Sequence, residues 1–150
     1  MISLKIAIPA VPFNIGPSIV SRVRARFMQE AGALIVDSVR SILGQSSIYS
    51  LSPEYAARKP RMKGFRRVAG KAADQPLILS GAGIYDNIDV VADGDGFIVH
   101  VDDKAGTSPE GFDYAQHFED ITDYLGKGLD LVEDKLADLM GDIIVQEMGL

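Results

Sequence analysis

The chain has 150 residues, enough for one domain with a buried core, and its 47% hydrophobic and 24% charged residues are those of a soluble globular protein. It contains no cysteine, which excludes disulfides, thiolate nucleophiles and thiolate metal sites. The net charge of −6 is unevenly spread: residues 58–71 hold seven cations and no acid, whereas residues 72–150 hold 18 Asp or Glu against Lys104, Lys127 and Lys135. One basic loop on an acidic body makes a dipolar subunit, suited either to an anionic ligand or to head-to-tail contact with the acidic face of another copy.

The N-terminal MISLKIAI is too short and too alternating for the apolar core of a signal peptide, and no run in the chain reaches membrane-spanning length. The expectation is a soluble protein made in a cytoplasm. Leu4, Ile6 and Ile8 fall on one face of a strand, which Pro9 and Pro12 end. Asn14-Ile15-Gly16-Pro17 then starts a helix, because proline at the first helical position lacks only an N–H that would go unpaired. Val20, Val23, Phe27, Ala31, Leu34, Ile35, Val39 and Ile42 recur at spacings of three and four, with Gly44 as the cap. Arg22, Arg26 and Gln29 are expected to point away from that apolar face.

Residues 45–76 carry no sustained period and contain the cations. They predict an extended basic loop with a single helical turn at Ser52–Ala57, in a chain that otherwise forms one domain over 1–150. Ser80 is a natural N-cap for a short helix reaching Asn87. Ile88, Val90 and Ala92 alternate, Asp93-Gly94-Asp95-Gly96 supplies turn residues that tolerate positive φ, and Phe97, Val99 and Val101 share one face of the return strand. A second short helix is expected within Phe112–Ile121. Leu125, Leu129, Val132, Leu136, Leu139, Met140 and Ile143 then line one side of a long helix whose other side carries Asp130, Glu133, Asp134, Asp138 and Asp142. The architecture read from this pattern is α+β: a small antiparallel β-sheet around a central hairpin, packed against two long amphipathic helices, with a long basic arm and the N-terminal strand available to join the sheet.

The usual chemical signatures fail their spacing tests. Ser80 sits in ILSGA, where a nucleophile elbow needs glycine at the position of Ile78. Gly81-Ala82-Gly83 meets Asp86 where a dinucleotide fingerprint needs its third glycine. A calcium loop starting at Asp93 would need glutamate where Lys104 stands. His117 has Asp113 and Asp120 at helical spacings, so a proton relay is conceivable, although a surface salt-bridge network is the more ordinary use of such a histidine; His100 falls on the less apolar face of its strand. No catalytic residue, metal or cofactor is expected. The basic loop is the remaining functional feature: the reading is subunit contact through Arg58, Lys59, Arg61, Lys63, Arg66 and Arg67, with a nucleic-acid-binding module using residues 58–71 as the alternative. Only Phe65 interleaves with the cations, which is sparse for base stacking.

The stretch from about 75 to 122 resembles the tail-completion and head–tail joining (neck) proteins of tailed bacteriophages. Leu79, Ser80, Gly81, Ile84, Asn87 and Ile88 fit the family pattern entering its hairpin, and Tyr114, Ala115, Phe118, Glu119 and Thr122 fit the aromatic-acidic segment after it. Asp120-Ile121-Thr122 replaces the family's Gly-Thr pair, and the proline-rich segment that often follows is missing. The resemblance implies a non-enzymatic virion protein at the head–tail junction, assembled in the host cytoplasm. It implies a homo-oligomeric ring, usually of six copies, in contact with neighbouring neck and tail-tube proteins and with no membrane. Genomic DNA would pass through without specific binding. If Asp130, Glu133, Asp134, Asp138 and Asp142 face that lumen, their carboxylates repel the phosphate backbone and let DNA slide.

Overall fold

The computed structural model describes residues 3–7, 16–45, 52–61, 83–94, 96–102 and 111–149. In chain order these form strand β1 (Ser3–Ala7), helix α1 (Pro17–Leu43), helix α2 (Pro53–Arg58) with a 3-10 turn at Lys59–Arg61, and a second 3-10 turn at Ile84–Asp86. Strands β2 (Ile88–Asp93) and β3 (Gly96–Val101) follow, then helices α3 (Tyr114–Thr122) and α4 (Tyr124–Met148). The fold is α+β, with one antiparallel sheet in the order β1-β3-β2.

The hairpin is fixed by its turn. Asp93 pairs with Gly96, and Gly94 between them has φ +58, a conformation glycine reaches without steric penalty. That register pairs Ile88 with Val101 and Val90 with Val99. It turns Phe97, Val99 and Val101 into the core. On the other side of β3, Ser3 to Ala7 run antiparallel to His100 to Gly96, so the N-terminal strand does join the sheet.

Helix α1 begins at Pro17, as the Gly16-Pro17 pair predicts, and ends at Gly44, which caps it in a right-handed conformation (φ −81) with its N–H donated to the Arg40 carbonyl. Its buried stripe is Val23, Phe27, Ala31, Ile35, Val39, Ile42 and Leu43. Helix α4 runs antiparallel to it: Arg22, near the start of α1, meets Glu147 near the end of α4, and Val39 lies against Gly128 at the other end. The core is the layer these two helices share with the sheet, joined where the Phe27 and Phe97 rings sit 6.1 Å apart, tilted by 55°. A Phe-to-Ala truncation at such a site typically destabilises by about 3–5 kcal/mol.

One expectation is corrected here. The short helix expected from Ser80 to Asn87 is, within the described residues, one 3-10 turn capped by Gly83; Ser80 itself lies outside them. Asn87 closes that turn by donating from Nδ2 to the Gly83 carbonyl at 2.7 Å, which leaves the chain extended at Ile88. Arg22 and Arg26 lie off the buried face of α1, as expected, and there they are engaged by α4. Arg22 Nε donates to Glu147 at 2.9 Å, and Arg26 reaches Glu147 at 3.1 Å, Gln146 at 2.9 Å and Glu30 at 3.2 Å. Helical spacing gives the face of a residue, and these arginines sit where α4 crosses that face's edge.

Candidate subunit interface

The arm and the acidic helix were the two features singled out by charge. Of the arm's cations, Arg58 ends α2 and Lys59 and Arg61 lie in the 3-10 turn; Lys63, Arg66 and Arg67 lie outside the described residues. Helix α2 is better formed than the single turn expected of it. Pro53 opens it, Ser52 Oγ accepts the Tyr55 N–H at 3.3 Å, and the Arg58 guanidinium lies over the Tyr55 ring at 5.7 Å. Yet no residue of α2 is buried. Arg58 and Arg61 are both exposed.

All five carboxylates of α4 named from the sequence, Asp130, Glu133, Asp134, Asp138 and Asp142, are exposed, while Tyr124, Leu125, Gly128, Val132, Leu136, Met140 and Ile143 are buried. The amphipathic reading of this helix therefore holds, with Leu129 and Leu139 half-buried against the core. None of the five has an ion-pair partner among the described residues. Asp130, Asp134, Asp138 and Asp142 succeed one another at intervals of four, and like charges at that spacing weaken a helix by a few tenths of a kcal/mol per pair. Leu131 and Val145, also on the outer side, are exposed by 40% and 45%.

The segment that carries the resemblance does structural work. Ile84 and Ile88 are buried beside the hairpin, as is Ala115 in α3. Thr122 Oγ1 donates to the Phe118 carbonyl, which tightens the last turn of α3. Asp123 then takes a left-handed conformation (φ 51), donating its N–H to the Glu119 carbonyl and turning the chain directly into α4. Glu119 caps the new helix: its carboxylate accepts the Leu125 N–H at 2.9 Å. Partial burial raises the pKa of this carboxyl; the Leu125 N–H opposes the rise and neighbouring Asp123 adds to it. Tyr124 is fully buried and donates its hydroxyl to the Ala115 carbonyl at 3.1 Å. Burial, and then the nearby Glu119 and Asp113 carboxylates, push that hydroxyl's pKa well above the ordinary tyrosine range.

The groups imagined for a proton relay at His117 are not assembled as one. His117 is exposed, and its ring packs between Phe112 at 5.2 Å and Phe118 at 5.3 Å. Asp113 accepts the Gln116 N–H as the N-cap of α3, and Asp120 accepts from Gln116 Nε2 at 2.6 Å. No salt-bridge network forms around His117 among the described residues; aromatic contact replaces it. His100 lies on the half-buried side of β3, with Nε2 3.7 Å from Asp89. Sequence reasoning gave no sign of the Arg40 site, where Nε donates to the Tyr85 carbonyl at 2.9 Å and the guanidinium covers the Tyr85 ring at 5.5 Å.

Among the described residues no group of three or more His, Asp or Glu side chains is placed to hold a metal ion, and no helix is long and apolar enough to cross a membrane. No protein-family model, no curated protein and no solved structure matches the chain.

Proposed function

We propose that this chain is a non-enzymatic structural protein of a tailed bacteriophage virion, joining or completing the tail at the head–tail interface. In this reading copies close into a ring, expected to hold six, through which the genome passes. The observation that carries it is the segregation of charge: an arm rich in Arg and Lys, and a long helix whose exposed carboxylates have no ion-pair partner among the described residues. Opposite patches on one subunit suit a heterologous contact, which closes into a ring when the rotation between copies allows. The resemblance of residues 75–122 to neck proteins supports the same assignment. The acidic helix then serves two surfaces, the contact with a neighbour's arm and the wall of the lumen, where carboxylates keep the phosphate backbone from sticking.

The test is the mass of the full-length chain by light scattering across salt concentrations, alone and with isolated tail tubes or DNA-filled heads. A ring-sized mass, or a monomer that becomes a ring on those particles, supports the joining role. The rival reading is a nucleic-acid-binding module, favoured by the Arg58–Tyr55 pair as a stacking platform. A stable monomer that ignores both particles but binds duplex DNA, with affinity falling steeply as salt rises, selects it.

A further inference from the structure

A six-residue helix is marginal in water unless something packs against it. Helix α2 is formed and capped, carries a tyrosine and an arginine stacked together, and has no fully buried residue among the described ones, Tyr55 and Ala56 being half-buried and the rest exposed. Tyr and Arg are the residue types most enriched where binding energy concentrates at interfaces. The side of α4 opposite the core offers a matching surface. Leu131, Asp134, Asp138, Asp142 and Val145 follow one another at spacings of three and four, so they form one exposed stripe with apolar ends and an acidic middle.

We propose that α2 of one copy docks along this stripe of a second copy, with Tyr55 on Leu131, Arg58 at Asp134 and Arg61 at Asp138. The contact rests on the ring reading above and specifies which surfaces would make it. The spacings agree along the whole length. Three helical residues separate Tyr55 from Arg58 and Leu131 from Asp134, about 4.5 Å in each case. Arg58 to Arg61 through the 3-10 turn rises about 6 Å, and so do the four residues from Asp134 to Asp138. Charge fixes the direction: Glu54 enters at the Leu131 end of the stripe, one turn beyond which lies Lys127, and the arginines fall on the aspartates. At 100° per residue, Asp130 and Glu133 lie about 80° and about 140° round the helix from the centre of the stripe, leaving those two carboxylates for the lumen.

A charge exchange tests the contact in the full-length chain. One variant carries Arg58→Glu with Arg61→Glu; the other carries Asp134→Arg with Asp138→Arg. All four positions are exposed, and circular dichroism checks that each variant keeps the wild-type fold. Each alone is expected to self-associate at least tenfold more weakly than wild type. An equimolar mixture is expected to regain assembly, because each arm then meets only the complementary face and the two variants alternate around the ring. Variants that assemble as well as wild type, or a mixture that stays dispersed, overturn the docking and leave the ring reading standing. A wild-type chain that stays monomeric at every salt, with tail tubes or filled heads present, overturns both. If reversing the arm charges abolishes binding to duplex DNA and leaves self-association untouched, the occupant of the arm is nucleic acid and the proposal is wrong.

Discussion

Gly128 of α4 and Val39 of α1 are in such close contact that a β-carbon on the glycine would stand 2.8 Å from Val39 Cγ2 and 2.9 Å from Val39 Cα. The second distance is the decisive one, since a backbone atom cannot swing aside as a side chain can. Glycine inside a helix ordinarily weakens it by about 1 kcal/mol relative to alanine. Here it sets how near the two long helices lie.

Gly128→Ala is therefore expected to destabilise the fold by about 1–3 kcal/mol, the usual range for overpacking. Gly141, on the exposed side of the same helix, has nothing within 4 Å of its missing β-carbon. Gly141→Ala is expected to stabilise by up to about 1 kcal/mol. Urea denaturation of both variants reads the contrast in one experiment. If the two shift stability in the same direction, the close approach does not govern the helix pair.

The clamp between Glu147 and the first turns of α1 gives a pH prediction. Hydrogen bonds from Arg26 and then Arg22 hold the Glu147 carboxyl below its ordinary value. A depressed carboxyl stabilises the fold above the unfolded value of about 4.3 and loses that contribution as pH falls through the folded one. Glu147→Gln should lower the melting temperature by about 1–3 °C at pH 7. It should make no difference near pH 2, and added salt should shrink the effect because the pair is partly exposed. Melting curves at both pH values check this.

Glu119 has the opposite sign. Burial raises its folded pKa above the unfolded value, so its stabilising contribution is complete below about pH 4.3 and is lost as pH rises through the folded value. Glutamine keeps an oxygen to accept the Leu125 N–H and cannot ionise. Glu119→Gln is expected to raise the melting temperature by about 1–3 °C at pH 7 and to leave it unchanged near pH 3. Glu119→Ala removes the acceptor and should lower it at both. A glutamine variant less stable than wild type at pH 7 would mean that the charge at the start of α4 outweighs its desolvation.

How much of this was legible beforehand follows from what a period can encode. The start of α1 at Pro17, its cap at Gly44 and the turn at Gly94 were readable because each depends on a residue's own backbone preference. The division of α4 into buried Val132, Leu136 and Met140 and exposed Asp130, Asp134 and Asp138 was readable because a helix converts spacing into faces. The pairing of Arg26 with Glu147, 121 positions away, was not, because periodicity says nothing about partners. Nor was the abrupt α3–α4 junction, since Asp123 in a left-handed conformation is set by Glu119 and Thr122 around it and not by any local glycine. At the candidate interface, the outward carboxylates were legible, whereas the helix that presents Arg58 is too short to announce itself by period.

The edge of the sheet carries its own guard. Among the described residues strand β2 is at the sheet's edge, and Asp89 Oδ1 accepts the N–H of Val90 at 2.9 Å while Oδ2 faces His100 Nε2 at 3.7 Å. An edge N–H left open is a template for another strand, and charged side chains are one of the ways proteins blunt it. Val91 beside it is 47% exposed, so the strand has apolar surface to lose if the guard fails. Asp89→Ala is expected to keep the fold but to shift the chain, at raised concentration, from a defined species to polydisperse aggregates with increased β signal. Asp89→Asn, which retains an acceptor oxygen for Val90, should aggregate less than the alanine variant. Dynamic light scattering and far-ultraviolet circular dichroism on the three proteins at matched concentration decide it: an alanine variant as monodisperse as wild type would mean that Asp89 serves only its contact with His100.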